Sequence, residues 1–304
     1  MILPDGGQTS RPRGATQQGL PETPAGPFHK LWHALVRPTQ RLKVRRYDIA
    51  PARWTTARMR IVMVSDLHIC DPWVPLSRLD EVIERARSLT PDLVLFPGDL
   101  SQGPNYVTSV DLPLDEIATR LARLTAPLGR YAVLGNHDWW HDAAAQKRRA
   151  GPVGAAQALE AAGIPVLSNA AVELPNGVWL AGLESQEALR RARDDIEGLD
   201  DLPATLAQVP QEADTILLAH EPNVFADVPD RVALTLSGHT HGGQIRFFGW
   251  APILPREIDR RFLHGHIRDG DRHLVISDGI GYSKLPLRIG ALPEITVVEI
   301  GPAG

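Results

Sequence analysis

"YAVLGNHDWWHD", residues 131–142, decides how the chain is read. The apolar run 131–134 reads as a buried strand, and it breaks off into Gly135, Asn136, His137 and Asp138 before two tryptophans. A buried strand ordinarily hands over to turn-forming residues. This one hands over to an amide, an imidazole and a carboxylate, groups that bind metals and move protons. The handover recurs along the chain. "RIVMVS" ends in Asp66, Leu67 and His68, and "LVLFP" in Gly98 and Asp99. "TILLA" ends in His220, Glu221 and Pro222, and "VALTLS" in Gly238, His239, Thr240 and His241. In open α/β sheets the carboxyl ends of strands line the ligand crevice. Residues two apart on an extended strand face the same way, so Asp66 with His68, and His239 with His241, are each expected to face one centre. Glycines before Asp99, Asn136 and His239 let the backbone approach closely.

Each signal alone is weak. Asp-x-His and Gly-Asp are common, His220 alone reads equally as a satisfied core histidine, and Gly-His-Thr-His as a surface turn. Their recurrence at five strand ends is what requires a chemical explanation. Asp66, His68, Asp99, Asn136, His220, His239 and His241 supply more oxygen and nitrogen donors than one tetrahedral ion uses. The set suits two divalent ions sharing a carboxylate. Mixed imidazole and carboxylate ligands admit Mn, Fe, Zn, Co or Ni. His29 and His33 lie in a basic segment and His273 beside charges, so all three read as surface residues, while His264 and His266 flank a glycine in a late strand and have no assigned role.

The rest of the chain alternates strands and helices. "SRLDEVIERARSL" (77–89) is helical through Leu79, Val82, Ile83 and Ala86, with Ser77 as its expected cap. "LDEIATRLARL" and "VGAAQALEAA" are further helices; "VWLAGL" is a strand. "RFLHGHIR", "RHLVIS" and "EITVVEI" near the end read as strands with no helix between them. The pattern predicts an α/β layered domain with sheets buried beneath helices.

The bulk numbers are those of a soluble globular protein. Net charge is −4 over 304 residues, so no nucleic-acid partner is expected. Cys70 is the single cysteine, which excludes an internal disulfide and fits a reducing compartment. No apolar run approaches the roughly 20 residues of a bilayer span, and the N-terminus has no apolar signal region. A cytoplasmic location is therefore expected. Residues 1–27 read as a disordered tail, 28–41 as a basic amphipathic segment with Phe28, Leu31, Trp32, Leu35 and Val36 at helical spacing, and 42–304 as the domain. Residues 27–60 hold nine Lys or Arg against one acid, Asp48. Two readings follow for residues 28–60: a helix docked on the domain with solvated cations, or a peripheral contact with the inner membrane surface.

The ordered set Asp66-x-His68, Gly98-Asp99, Gly135-Asn136-His137-Asp138, His220 and Gly238-His239-Thr240-His241 resembles the calcineurin-like metallophosphoesterase superfamily. The resemblance covers about residues 42–300. "GHTHGGQ" and "SDGIGYSKLPLRIGALPEI" resemble a narrower bacterial branch, which includes membrane-associated phosphodiesterases and a hydrolase of UDP-2,3-diacylglucosamine. The resemblance implies a four-layer α/β/β/α sandwich. It implies that Asp66, His68 and His241 hold one ion, that Asn136, His220 and His239 hold the other, and that Asp99 bridges them. It places His137 at substrate contact or acid catalysis and gives Asp138 the role of orienting that histidine. The implied activity is hydrolysis of a phosphoester, as a phosphodiesterase or pyrophosphatase, on a lipid-linked or nucleotide-linked substrate. Two other classes compete: a catalytically inactive scaffold, which usually loses His137 or several ligands, and a membrane-surface adaptor, which needs no metal. Trp139, Trp140, Phe247, Phe248 and Trp250 lie close to two of the motifs and predict an apolar wall beside the ions.

Overall fold

The computed structural model describes residues 40–192, 195–248, 250–252 and 258–303. In chain order it begins with β1 (Lys43–Ile49), β2 (Met59–Met63), the short β3 (Cys70–Asp71), α1 (Leu76–Arg87) and β4 (Leu93–Phe96). Then come β5 (Val110–Asp111), α2 (Leu114–Leu121), β6 (Arg130–Ala132), α3 (Asn136–Trp140), α4 (Ala143–Arg148) and α5 (Gly154–Ala161). β7 (Ala170–Glu173), β8 (Trp179–Gly182), β9 (Leu189–Ala192), β10 (Asp195–Glu197), α6 (Leu202–Ala207) and β11 (Thr215–Leu218) follow. The last strands are β12 (Leu234–Ser237), β13 (Gly265–Asp269), β14 (Arg272–Ile276) and β15 (Glu294–Ile300).

Two sheets carry the domain, ordered β1-β15-β2-β4-β6 and β13-β14-β12-β11-β8-β7. Side chains alternate faces along a strand, and that alternation sorts the apolar residues into three cores. Ile61, Met63, Leu93, Leu95 and Val298 of the first sheet meet Leu180, Ile216, Leu218, Leu234 and Val275 of the second. Their neighbours Val62, Val94, Phe96 and Val297 turn the other way, onto Leu79, Val82 and Ile83 of α1 and Ile117 and Leu121 of α2. On the far side, Leu217, Leu274 and Ile276 pack beneath Leu202 and Leu206 of α6 and Val224 and Phe225 of a 3₁₀ turn. The result is the expected four-layer α/β/β/α arrangement. In the middle of each sheet the strands run parallel, β2 with β4 and β6, and β8 with β11, β12 and β14. Their carboxyl ends therefore open on the same edge of the sandwich.

Several local expectations change. Ser77 does not cap α1: Pro75, at φ −70° and ψ 166°, occupies that position without a side-chain cap bond, and Ser77 lies inside the first turn. Proline's fixed φ and missing N–H suit a helix entrance. Residues 261–268 are not one strand, because a 3₁₀ turn over Arg260–Phe262 precedes β13. His273 is buried rather than on the surface, at 5% exposure. Its Nδ1 lies 2.8 Å from Nε2 of His266, the two rings stack, and burial pushes its pKa down to about 4, leaving the imidazole neutral.

The tail 1–27, and residues 28–39 of the amphipathic segment with His29 and His33, lie outside the described residues. The basic stretch that follows is built into the first sheet. β1 pairs parallel with β15, and Arg45 donates to Glu294 at 2.7 Å, Arg58 to Asp48 and Arg60 to Glu299. No helix among the described residues is long and apolar enough to cross a membrane.

Candidate metal centre

The chain leaves each of five strand ends in a tight turn. Asp66 and His68 follow β2, Asp99 follows β4, Asn136 follows β6, His220 follows β11, and His239 and His241 follow β12. Five of these residues adopt left-handed backbone: Asp66 (φ 49°), His68 (46°), Asp99 (57°), His239 (70°) and His241 (51°). The ligand pairs are therefore not on extended strand, as the two-residue spacing predicts, and the consequence differs between them. Asp66 and His68 still converge, in one group with His241. His239 parts from His241 and turns to His220, with which it forms a separate group that includes Glu221. Asp99 belongs to two groups, one with Asp66 and His220 and one with His68 and His137. All seven expected donors are brought together and buried, none more than 6% exposed.

Hydrogen bonds outside the centre fix which atoms face it. His68 Nδ1 donates to the Gln102 carbonyl (3.1 Å) and His220 Nδ1 to the Pro97 carbonyl (2.6 Å). Each Nε2 is then turned inward. His220 Nε2 lies 3.3 Å from Asp99 Oδ2 and 3.1 Å from Asn136 Oδ1. His239 Nδ1 lies 3.0 Å from the same Asn136 oxygen. His68 Nε2 lies 3.2 Å from His241 Nε2 and 3.5 Å from Asp99 Oδ2. Buried nitrogens and oxygens converging at these distances call for cations among them. The donor set fits divalent metal, with Asp99 within reach of His68 on one side and His220 on the other.

Without a metal ion, a proton takes that place between His220 and Asp99. Burial pushes the Asp99 carboxyl up, but the facing His220 and His137, with hydrogen bonds from His220 and His68, hold it well below the usual carboxylate range. Burial opposes charge on His220, and Asp99 outweighs it, lifting that imidazole well above its ordinary value. Burial drives His137 and His241 well below theirs.

The residues around the centre have distinct tasks. Asp138 does not reach the ring of His137. Its carboxylate accepts the backbone N–H groups of Asp99 (2.8 Å), Leu100 (2.9 Å) and Gly135 (2.9 Å), so it ties the loop after β4 to the loop after β6. Burial, and then the neighbouring Asp99, push its pKa up to about 6. His137 Nδ1 is buried without a hydrogen-bond partner, and its ring meets His68 and Trp140 at 5.1 Å and stacks on His141 at 5.7 Å. Gly135 is obligatory, since a Cβ there would lie 2.3 Å from Asp99 Oδ1.

The expected aromatic wall divides. Trp139 is core, 3% exposed, and donates its indole N–H to Glu184 at 2.8 Å. Trp140 is half-buried beneath the Arg190 guanidinium. Phe247, Phe248 and Trp250 project from the surface at 49%, 110% and 58% exposure.

Sequence reasoning missed two residues behind the centre. Arg288 is fully buried, directs Nη2 at His241 Nδ1 (3.1 Å) and donates to the carbonyls of Asp278 (2.7 Å) and Gly281 (2.9 Å). Its signal was a basic residue inside the apolar run "KLPLRIGALP". Glu221 accepts from the Ser185 hydroxyl (2.5 Å) and the Gln186 N–H (3.0 Å), which holds the loop after β8 against His220. The acidic residue beside His220 was its only sequence signal.

The family model for calcineurin-like phosphoesterases matches residues 59–243, which contain all seven donors and His137. The chain belongs to that family. It is a metal-dependent hydrolase of phosphoesters. It is 32% identical over 246 residues to the uncharacterized metallophosphoesterase YkuE of Bacillus subtilis, covering 79% of this chain and 78% of that one. An uncharacterized metallophosphoesterase of Aquifex aeolicus is 30% identical over 272 residues, 86% of this chain and 93% of that one. The phosphodiesterase YaeI of Escherichia coli is 30% identical over 274 residues, 84% of this chain and 87% of that one.

The role of Asp138 leads to a stability prediction. Asp138→Ala orphans three buried N–H groups and is expected to destabilise the chelator-treated protein by about 3 kcal/mol or more. Asp138→Asn, which keeps one acceptor oxygen, is expected to fall between. Urea unfolding with EDTA measures both, and an alanine variant as stable as the parent contradicts the assignment.

Proposed function

We propose that this phosphoesterase works with two divalent ions, one on Asp66, His68 and His241 and one on Asn136, His220 and His239, with Asp99 shared between them. The observation that carries this reading is the pair of inward Nε2 atoms of His68 and His220, both directed at Asp99 Oδ2. Bound there, the ions would neutralise phosphoryl oxygens and lower the pKa of a water nucleophile. Imidazole, carboxylate and amide donors suit Mn, Fe, Zn, Co or Ni.

The chain's own groups supply the rest. His137 stands at the edge of the centre with Nδ1 unpartnered, placed to donate to the leaving oxygen. Asp138 acts on it through the backbone, by fixing the turn that begins α3. Every donor and His137 are in place, which favours an active enzyme over a scaffold that keeps only the fold.

We further propose a substrate presented at a lipid surface. Among the described residues the exposed large hydrophobics are Tyr106, Val110, Phe247, Phe248, Trp250 and Leu285. All sit on three loops joined by hydrogen bonds: Asn105 N–H to Ser283 O (3.3 Å), Tyr106 N–H to Lys284 O (3.1 Å), and Gln244 Nε2 to Leu285 O (2.7 Å). Two of the loops continue directly from ligand turns, at Asp99 and His241. Exposed apolar residues gathered in this way mark an interaction surface. The peripheral contact at the inner membrane face, read above for residues 28–60, belongs to the same proposal.

Asp99→Ala is expected to lose both ions, whereas His68→Ala keeps one; elemental analysis of the purified variants checks this, and full two-ion occupancy without Asp99 removes the bridge. His137→Ala is expected to keep the metals and lower kcat by about 10²–10⁴. The loss is expected to be smaller on an aryl ester with a good leaving group, and steady-state kinetics on paired esters measures the difference. Equal losses on both assign His137 to phosphoryl-oxygen binding instead. The protein is expected to co-sediment with anionic vesicles and to do so less after Phe248→Ser with Trp250→Ser. Absence of co-sedimentation at low salt rules out the lipid-surface reading.

A further inference from the structure

A cleft of about 320 Å³ opens against His137 and Asp138 on the side occupied by α4 and α5. Its apolar wall is Leu112, Leu114 and Ala155, and its ionisable lining beyond the catalytic turn is Asp111, Asp142 and His141. Neither lysine nor arginine is among the lining residues. The Asp142 carboxylate accepts the N–H groups of Ala145 and Gly154, both at 2.8 Å, which holds it in the charged form at the cleft wall. The volume is at the small end for ligand sites, which run from roughly 300 to 1,000 Å³. It suits a glycerol, an amino alcohol or a single sugar.

We propose that this cleft is the leaving-group subsite and that it selects an uncharged or cationic alcohol, so that the enzyme cleaves alcohol esters of phosphate in preference to pyrophosphate bonds. The proposal rests on the phosphoesterase reading above and narrows it. On this proposal the group departing past His137 enters the space that His137 borders. In a pyrophosphate that group is itself a phosphate anion, which would have to settle beside Asp111 and Asp142 with no lysine or arginine among the described lining residues to meet it. An alcohol's hydroxyls can instead donate to those carboxylates, its carbons can lie on Leu112 and Leu114, and an ammonium is attracted. In the reaction the water oxygen forms a new bond to phosphorus as the bond to the alcohol oxygen breaks. One water proton ends on that alcohol, by way of His137, and the other is released from the phosphoryl product.

Gly154 gives a means of testing the cleft without touching the metal ligands. A Cβ at this position meets nothing nearer than Asp142 Oδ2 and Leu114 Cδ1, both at 3.6 Å and both cleft residues, so a longer side chain grows into the cleft. The test uses the metal-loaded full chain and four substrates that all release phenylphosphonate, the last of them with an anionic leaving group whichever phosphorus is attacked. These are the methyl, glyceryl and cholinyl monoesters of phenylphosphonate, and phenylphosphonyl phosphate. The glyceryl and cholinyl esters are expected to exceed phenylphosphonyl phosphate in kcat/KM by roughly tenfold or more, although phosphate is intrinsically the better leaving group. Gly154→Met, with its metal content verified, is expected to lower the glyceryl-to-methyl ratio of kcat/KM by roughly tenfold. Leu112→Arg is expected to move the preference toward phenylphosphonyl phosphate. Faster turnover of phenylphosphonyl phosphate by the parent, or an equal loss on methyl and glyceryl esters in Gly154→Met, overturns the subsite and leaves the phosphoesterase reading standing. No phenylphosphonate from any of the four overturns both.

Discussion

Two imidazoles whose outer nitrogens are committed to backbone carbonyls turn their inner nitrogens onto one carboxylate oxygen. His68 and His220 stand in this relation to Asp99. Held together in a dry interior, the three groups need positive charge between them, from protons or from metal ions. A fold that nonetheless assembles them is a fold that expects cations. The carbonyls of Gln102 and Pro97 are thus as much a part of the centre as the ligands, since they decide which nitrogen faces inward.

Holding that arrangement requires backbone that most residues avoid. Asp66, His68, Asp99, His239 and His241 all sit at positive φ, at a cost of about 1–3 kcal/mol for a residue in a sparsely populated region. The surrounding structure offsets this with buried polar bonds. Asp138 gathers three N–H groups from two loops, Asp66 accepts the His239 N–H at 2.8 Å, and Arg288 gathers the carbonyls of Asp278, Gly281 and His241. The bonds from Asp99 and Leu100 to Asp138, from His239 to Asp66 and from Arg288 to the His241 carbonyl cross from one strand-end loop to another, so the strain at those turns is resisted by their neighbours. The two sheets beneath provide a rigid base, with strand ends fixed by three apolar cores.

Two surfaces adjoin the centre: three loops carrying exposed aromatic and aliphatic residues, and a small cleft with an acidic lining beside His137. The two surfaces demand different chemistry: one suits apolar material, the other a small hydroxylated or cationic group. A phosphoester that joins an apolar part to such an alcohol would satisfy both at once. The stacked pair of exposed His266 on β13 and buried His273 on β14 is not among the groups that converge on the centre.

Much of this was legible in the sequence, for a physical reason. A strand buried on both faces must be apolar throughout, so "RIVMV", "LVLF", "TILL" and "VALTL" stand out, and a carboxylate or imidazole at the end of each is conspicuous. The layer order and all seven donors followed from that contrast together with the family resemblance. Periodicity was silent where burial was partial: β1 is an edge strand whose arginines read as a solvated basic run, and Trp139 beside a catalytic turn gave no sign that it would face the core. The two-residue spacing set His239 and His241 on one centre while the resemblance divided them, and the tertiary structure divides them, because left-handed φ values, not strand alternation, aim their side chains. It alone decided that Asp138 braces backbone rather than a ring, that Arg288 is buried behind His241 across 47 residues of chain, and that the space beside His137 is acidic. The sequence determines which groups reach the centre, since strand ends are local. What those groups face depends on contacts between loops distant in the chain, which no local pattern encodes.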